Sequence, residues 1–282
     1  MSNLLGDVQL SQHDFDRIAR FVYDLCGISL NQSKKELVRA RLAKRLRILG
    51  LEDYSDYLER VMADPEGQEC YEFIDSLSTN LTSFFRENDH FEYLSATLLP
   101  QLIEQKKDSR RIRAWSAACS TGEEPYTISI VMSEAFEKAR TQGTWDTKLL
   151  ATDISTRVLK KAQAGVYEME RVKTVEPHLR GKYFEPRTLG GEPHLAASPA
   201  LRNMIVFNRL NLIESWPFTG PFDFIFCRNV MIYFDKPTQQ KLVNRFHDLL
   251  APGGVLFTGH SESLTGIDHK FKFVKATIYQ RS

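Results

Sequence analysis

The hydrophobic period of the chain changes once, near residue 110, and this limits the fold more than any other feature. Before that point apolar residues recur at helical spacing. Phe15, Ile18, Phe21, Val22 and Leu25 lie between Ser11 and Gly27, which predicts a helix capped by Ser11 and stopped at Gly27. Ser33 and Glu36 have the spacing of a capping box, and Gly50 would close that second helix. "EDYSDYLERVM" and "EGQECYEFIDSLST" predict two more. No strand-like run precedes residue 110, so residues 1–80 read as a small helical domain and 81–110 as a linker with a connecting helix.

After residue 110, "RRIRAWSAA", "TKLLATDI", "NMIVFNRLNL", "FDFIFCRNV", "GGVLFTGH" and "FKFVKATIYQR" are strand candidates. Helical stretches near 125–140, 156–164 and 238–250 separate several of them. Strands alternating with helices predict an α/β domain over 111–282, with a mostly parallel, doubly wound sheet. Ligands of such sheets bind at the carboxyl ends of the strands, where the strand order reverses. Residues 181–203, with three prolines and three glycines, fit this alternation poorly. They read as a small antiparallel β insertion or as an irregular surface loop; a docking role is the expectation for so long a departure.

Composition excludes several classes. The net charge of +1 provides no global attraction to nucleic acid. No apolar run approaches the ~18 residues of a membrane span, and the opening "MSNLLGDVQLSQHD" lacks the pattern of a secretory signal. The four cysteines are far apart, which argues for a reduced, cytoplasmic protein and against a metal site. The seven histidines are scattered and read as structural or surface residues.

The chemistry concentrates at the ends of the predicted strands. "SAACSTGEEPY" (116–126) leaves a strand, turns on small residues and opens a helix, with Pro125 in its first turn. It has one glycine, Gly122, and two acids, Glu123 and Glu124. The acids would repel a pyrophosphate and attract an amine, which separates the loop from a phosphate cradle. Favourable interaction with the helix dipole is the other reading of the pair. Asp153 ends the next strand, where a carboxylate accepts both hydroxyls of a ribose; its alternative is an N-cap for "STRVLKKA". Asn211 follows the third, with an amide able to pair with an adenine edge and Leu212 beside the ring. An adenosine with an amine-bearing tail satisfies all these positions, and S-adenosylmethionine is such a molecule.

"PFDFIFCRNVMIYF" followed by "LLAPGGVLF" is similar to the later strands of class I methyltransferases, which have a Rossmann-like fold. "NLTSFFRENDHF", "SAACSTGEEPY" and "FCRNVMIYF" together resemble the chemotaxis receptor glutamate methyltransferases, the CheR family, over about residues 10–280. The resemblance implies S-adenosylmethionine as donor, S-adenosylhomocysteine as product, and glutamate side chains of methyl-accepting chemoreceptors as acceptor. It also places Asn80, Thr82, Arg86, one of Glu123 and Glu124, Asp153, Asn211 with Leu212, and Arg228 with Asn229 on cofactor-contacting positions. Glu124 is the favoured partner of the amine, although spacing leaves the choice open.

A glutamate carboxyl with pKa ~4.3 is already ionised at neutral pH, so methyl transfer to it requires no strong base. Orientation is then the main contribution, and Arg86 and Tyr233 are the candidates for holding the acceptor carboxylate. Tyr233 has the alternative of a core aromatic in "MIYF". Residues 34–47, "KKELVRARLAKRLR", carry seven basic residues and one acid, with Arg41, Lys44 and Arg47 in a stripe. That stripe suits an acidic receptor helix; a solvated face is the alternative, and the acids after Glu52 interrupt any groove for nucleic acid. The expected protein is a monomeric enzyme without metal. The competing readings are a methyltransferase acting on RNA or a small molecule, and a receptor-docking protein that binds cofactor without methylating.

Overall fold

The computed structural model describes residues 9–141 and 143–282; most of the opening segment compared with a secretory signal lies outside them. The chain divides into two compact units. The first comprises the described residues through Thr79 together with Tyr233–Thr238, and the second comprises Asn80–Ile232 and Gln239–Ser282.

In the first unit, α1 (Gln12–Cys26) starts where the Ser11 hydroxyl accepts from the Asp14 N–H, and ends at Gly27 in the left-handed conformation. Its buried side chains are Phe15, Ile18, Val22 and Cys26, one face of the helix. The next helix, α2 (Lys35–Leu49), does not use the expected capping box. Ser33 lies inside a 3-10 turn, Gln32–Lys34, and donates to Asn31 Oδ1, while Glu36 pairs with Arg39. The preceding tight turn has displaced Ser33 from the capping position. Two further helices, α3 (Tyr54–Ala63) and α4 (Gln68–Leu77), complete the group. Arg45 of α2 joins Glu69 and Glu72 of α4, and Tyr57 of α3 donates to the same Glu69.

The second unit begins with an irregular segment, then α5 (Asp89–Tyr93) and α6 (Leu99–Gln105), joined by a π turn over Leu94–Leu98. Pro100 has no N–H to give the carbonyl four residues back, and the ladder widens just before it. The sheet strands and their helices follow: β1 (Arg111–Ala117), α7 (Glu123–Lys138), β2 (Asp146–Asp153) and α8 (Thr156–Ala164). Next come β3 (Val166–Glu168), α9 (Pro177–Tyr183), β4 (Phe184–Leu189), β5 (Glu192–Ala197), α10 (Pro199–Arg202) and β6 (Ile205–Arg209). The chain ends with β7 (Phe222–Cys227), α11 (Lys236–Leu249), β8 (Leu250–Thr258), β9 (Phe271–Lys275) and β10 (Ile278–Arg281).

Seven strands form one sheet in the order β6-β2-β1-β7-β8-β10-β9. The first five are parallel and β10 runs antiparallel to both its neighbours. The order reverses between β1 and β7, so their carboxyl ends mark the ligand crevice. Every residue of β7 is buried, as a strand covered on both faces requires. "FKFVKATIYQR", read from sequence as one strand, is the β9–β10 hairpin. Its turn includes Thr277 at φ 59, without the Asn-Gly or Gly-Gly that marks such a turn in sequence.

The insertion is an antiparallel sheet, β3-β5-β4. Its β4–β5 hairpin turns on Gly190 and Gly191, both at positive φ (57° and 83°), the conformations a two-residue hairpin turn demands. The third strand, β3, lies outside 181–203. Three residues are too short for a period-2 pattern to register.

Candidate active site

The loop from β1 to α7 is held in an unusual backbone shape. Ala118, Ser120 and Gly122 have φ of 66°, 50° and 98°. Left-handed conformation costs a residue with a side chain about 1–2 kcal/mol, so the surroundings must enforce it. Asp153, at the end of β2, does so. Its Oδ2 accepts the Ser120 N–H at 2.9 Å and its Oδ1 the Ser155 N–H at 2.9 Å. The N-cap of α8 is Ser155, which accepts from the Val158 N–H, so Asp153 is not that cap. A carboxylate oxygen can accept more than one hydrogen bond.

Glu123 and Glu124 have different surroundings. Glu123 is fully buried; Arg171 reaches its Oε1 at 2.6 Å and the Thr121 hydroxyl donates to its Oε2 at 2.6 Å. Glu124 accepts from the Ser116 hydroxyl at 2.7 Å and lies 3.4 Å from the Arg228 guanidinium. Burial pushes its carboxyl above the ordinary value, against the opposing pull of Arg228 and Ser116; Arg86 is also near enough to lower it. Glu124 therefore belongs to the group at the strand ends, while Glu123 ties the loop to the segment after β3.

Arg228, just past β7, is a buried guanidinium at the centre of this group. It pairs with Glu87 Oε2 at 2.9 Å, donates to the Arg86 carbonyl, and lies over the rings of Phe91 and Phe226. Asn229, at φ 58, donates to Glu87 Oε1 at 3.0 Å. Glu262 accepts the N–H groups of Asn229, Gly259 and Ile232, pinning the loop after β8 to the loop after β7. Glu87, Arg171 and Glu262 carry this network but were not singled out from sequence. Their signal was weak: single charged residues outside the long helices and strands, whose charged partners, for Glu87 and Arg171, lie 141 and 48 positions away.

The segment bearing Asn80, Thr82 and Arg86 is fixed at several points. The Asn80 carbonyl accepts from the Ser120 hydroxyl, the Phe85 N–H donates to Thr127 Oγ1, and Arg86 donates to the Leu81 carbonyl. Phe84 packs edge-on against Tyr167 and Phe184. Thr82 is half-buried. Asn211, beyond β6, is buried; it donates to Glu214 and accepts the Ile213 N–H, and Leu212 beside it is buried too. Tyr233 counts with the first unit, is half-buried, and its carbonyl accepts the Ser29 N–H. On α2, Arg41 donates to the Leu77 carbonyl and Thr79 hydroxyl, whereas Lys44 and Arg47 are exposed.

Among the described residues, Glu87, His90 and His260 each offer one ligand atom within 4.8 Å of the others. The Glu87 carboxylate is already engaged by Arg228, Asn229 and the His260 N–H, and a metal cation there would meet the Arg228 charge.

The donor set suits an adenosyl-methionine molecule. Two carboxylates, Glu124 in the first turn of α7 and Asp153 at the end of β2, stand beside a loop of small residues, which fits an ammonium and a ribose diol rather than phosphates. The fold and site define a class I, S-adenosylmethionine-dependent methyltransferase. Residues 80–280 match the family model described as "CheR methyltransferase, SAM binding domain", and residues 13–78 match "CheR methyltransferase, all-alpha domain". The chain belongs to the CheR methyltransferase family. It is 42% identical to the chemotaxis protein methyltransferase of Klebsiella aerogenes, covering 99% of this chain and 93% of that protein. The protein of the same name in Escherichia coli is 41% identical, over 97% and 92% of the two chains. That of Borreliella burgdorferi is 36% identical, over 98% and 96%.

Proposed function

We propose that this methyltransferase acts in the cytoplasm on glutamate side chains of methyl-accepting chemoreceptors, forming glutamate methyl esters. The names of its relatives support a role in chemotaxis. The observation that carries the choice of acceptor is the place of Arg86, whose carbonyl accepts from the same Arg228 guanidinium that lies 3.4 Å from Glu124. An arginine fork there suits an acceptor that is a carboxylate.

S-adenosylmethionine, when bound, supplies a methyl group made electrophilic by its sulfonium. Glu124 holds the amine of its methionine end, and Asp153 the ribose hydroxyls. Asn211 and Leu212 receive the adenine, and Asn80 and Thr82 line the approach. Arg228 and Asn229 shape the site through Glu87 and Glu124. Arg86 orients the acceptor carboxylate; too tight an ion pair would weaken the nucleophile, so its contribution is aim. Tyr233 is the second candidate for that task. Docking of the receptor's acidic helix falls to Lys44 and Arg47 with Arg41, and the β3-β5-β4 sheet is a further surface for a receptor tail.

Incubation with labelled S-adenosylmethionine and chemoreceptor-bearing membranes tests this. Base-labile carboxyl methyl esters on the receptors are expected. Methylated RNA or small molecules with unlabelled receptors would overturn the choice of acceptor, and bound cofactor without any product would overturn catalysis.

A further inference from the structure

Arg86 is flanked by strain. Phe85 has φ 54° and Glu87 has φ 55°, so a single non-glycine residue on each side of it is left-handed. Such conformations persist only where neighbours over-determine them, and they gather where a side chain must be aimed. On the Phe85 side the enforcing contacts are the Thr127 hydroxyl, 3.2 Å from the Phe85 nitrogen, and the ring of Phe91. On the other side they converge on one carboxylate. Glu87 Oε2 accepts from Arg228 and from the His260 N–H, and Oε1 accepts from Asn229 Nδ2. Those three donors come from the loops after β7 and β8. The same Arg228 that pairs with Glu87 also donates to the Arg86 carbonyl and lies beside Glu124.

We propose that Glu87 is a positioning residue for methyl transfer, holding the strained Phe85–Glu87 turn so that Arg86 is aimed at the acceptor carboxylate. In this role Glu87 acts through Arg86, by way of the protein partners its carboxylate holds. Its carboxylate gathers Arg228, Asn229 and the His260 amide onto the chain position next to Arg86. Without it, the turn relaxes toward ordinary backbone angles and Arg86 moves with it. This rests on the reading of Arg86 given above. Misplacement by about 1 Å can cost on the order of a hundredfold in rate.

The test is a double-mutant cycle of Glu87→Gln and Arg86→Lys, read as single-turnover transfer at saturating cofactor and receptor, with thermal melts to confirm folding. Glu87→Gln is expected to slow transfer between about tenfold and a hundredfold in the parent. In the Arg86→Lys background it should slow transfer by less than about twofold, because residues acting through one another are not additive. Glu87→Asp, which keeps the counter-charge on Arg228, should recover part of the rate; it also serves in the cycle if Glu87→Gln does not fold. A parent-like rate, or a loss that multiplies fully with that of Arg86→Lys, overturns the proposal. Hydrogen exchange of the Phe85 and Arg86 amides reads the same positioning without substrate. It should quicken by about tenfold or more in Glu87→Gln. Unchanged exchange overturns the proposal; quickened exchange in a protein whose parent forms no receptor ester supports the positioning and overturns the acceptor reading alone.

Discussion

Glu123 and Glu124 are chemically identical neighbours separated by their partners. Arg171→Ala leaves the buried Glu123 carboxylate with a single hydroxyl partner, and should lower stability by about 1–3 kcal/mol in urea titrations. Asp153→Ala removes a charge-assisted acceptor worth ~1.5–3 kcal/mol, so calorimetry should show S-adenosylmethionine affinity falling about tenfold or more. An Asp153→Ala protein that is folded and binds normally would remove Asp153 from the cofactor site. His90 gives a pH signature. Burial, reinforced by Arg228 and opposed by Asp89 and Glu87, lowers its pKa from 6.5 to about 4. The unfolded chain therefore binds the proton first as pH falls. The stabilisation from keeping His90 neutral is complete above pH ~6.5 and is lost as pH falls from there toward ~4. Denaturation across that range should show the slope, and His90→Asn should flatten it.

At the scale of elements, α2 divides its own basic stripe. Arg41 holds the carbonyl end of α4, so reversing its charge would damage the unit as well as any docking. Lys44→Glu with Arg47→Glu is the cleaner change, since both are exposed. Receptor methylation should fall severalfold or more while S-adenosylmethionine affinity stays normal. Added salt should reproduce part of the loss in the parent, because exposed charges are screened over ~8–10 Å near physiological ionic strength. A doubly reversed protein with parental activity and salt response would make this an ordinary solvated face. In the β4–β5 hairpin, a Cβ at Gly191 meets nothing within 4 Å, so the cost of Gly191→Ala is conformational. It should be about 1–2 kcal/mol, from the positive φ alone.

At the scale of the whole molecule, a ligand that binds only the folded state adds about 2.7 kcal/mol of stability at a hundred times its Kd. S-adenosylhomocysteine should raise the melting temperature accordingly and slow hydrogen exchange in β1, β2 and the 116–126 loop. Adenosine triphosphate should do neither, because Glu124 repels its phosphates. Equal protection by both would contradict the reading of this acid.

The helical start and the parallel α/β body were legible in the sequence. Each is written locally, as a hydrophobic period or a residue type at the end of a run. Three things were decided only in the tertiary structure. The Ser33 cap gave way to a 3-10 turn, and "FKFVKATIYQR" folded back as a hairpin on a turn with no glycine. The third is the set of long-range charge pairs. Glu87 meets Arg228 across 141 positions, and Glu123 meets Arg171 across 48. Burial makes such pairs decisive, because an unpartnered charge away from water is costly. A sequence states which charges exist; which of two adjacent glutamates is consumed by the fold, and which remains with Arg228 at the strand ends, depends on what the rest of the chain brings against each.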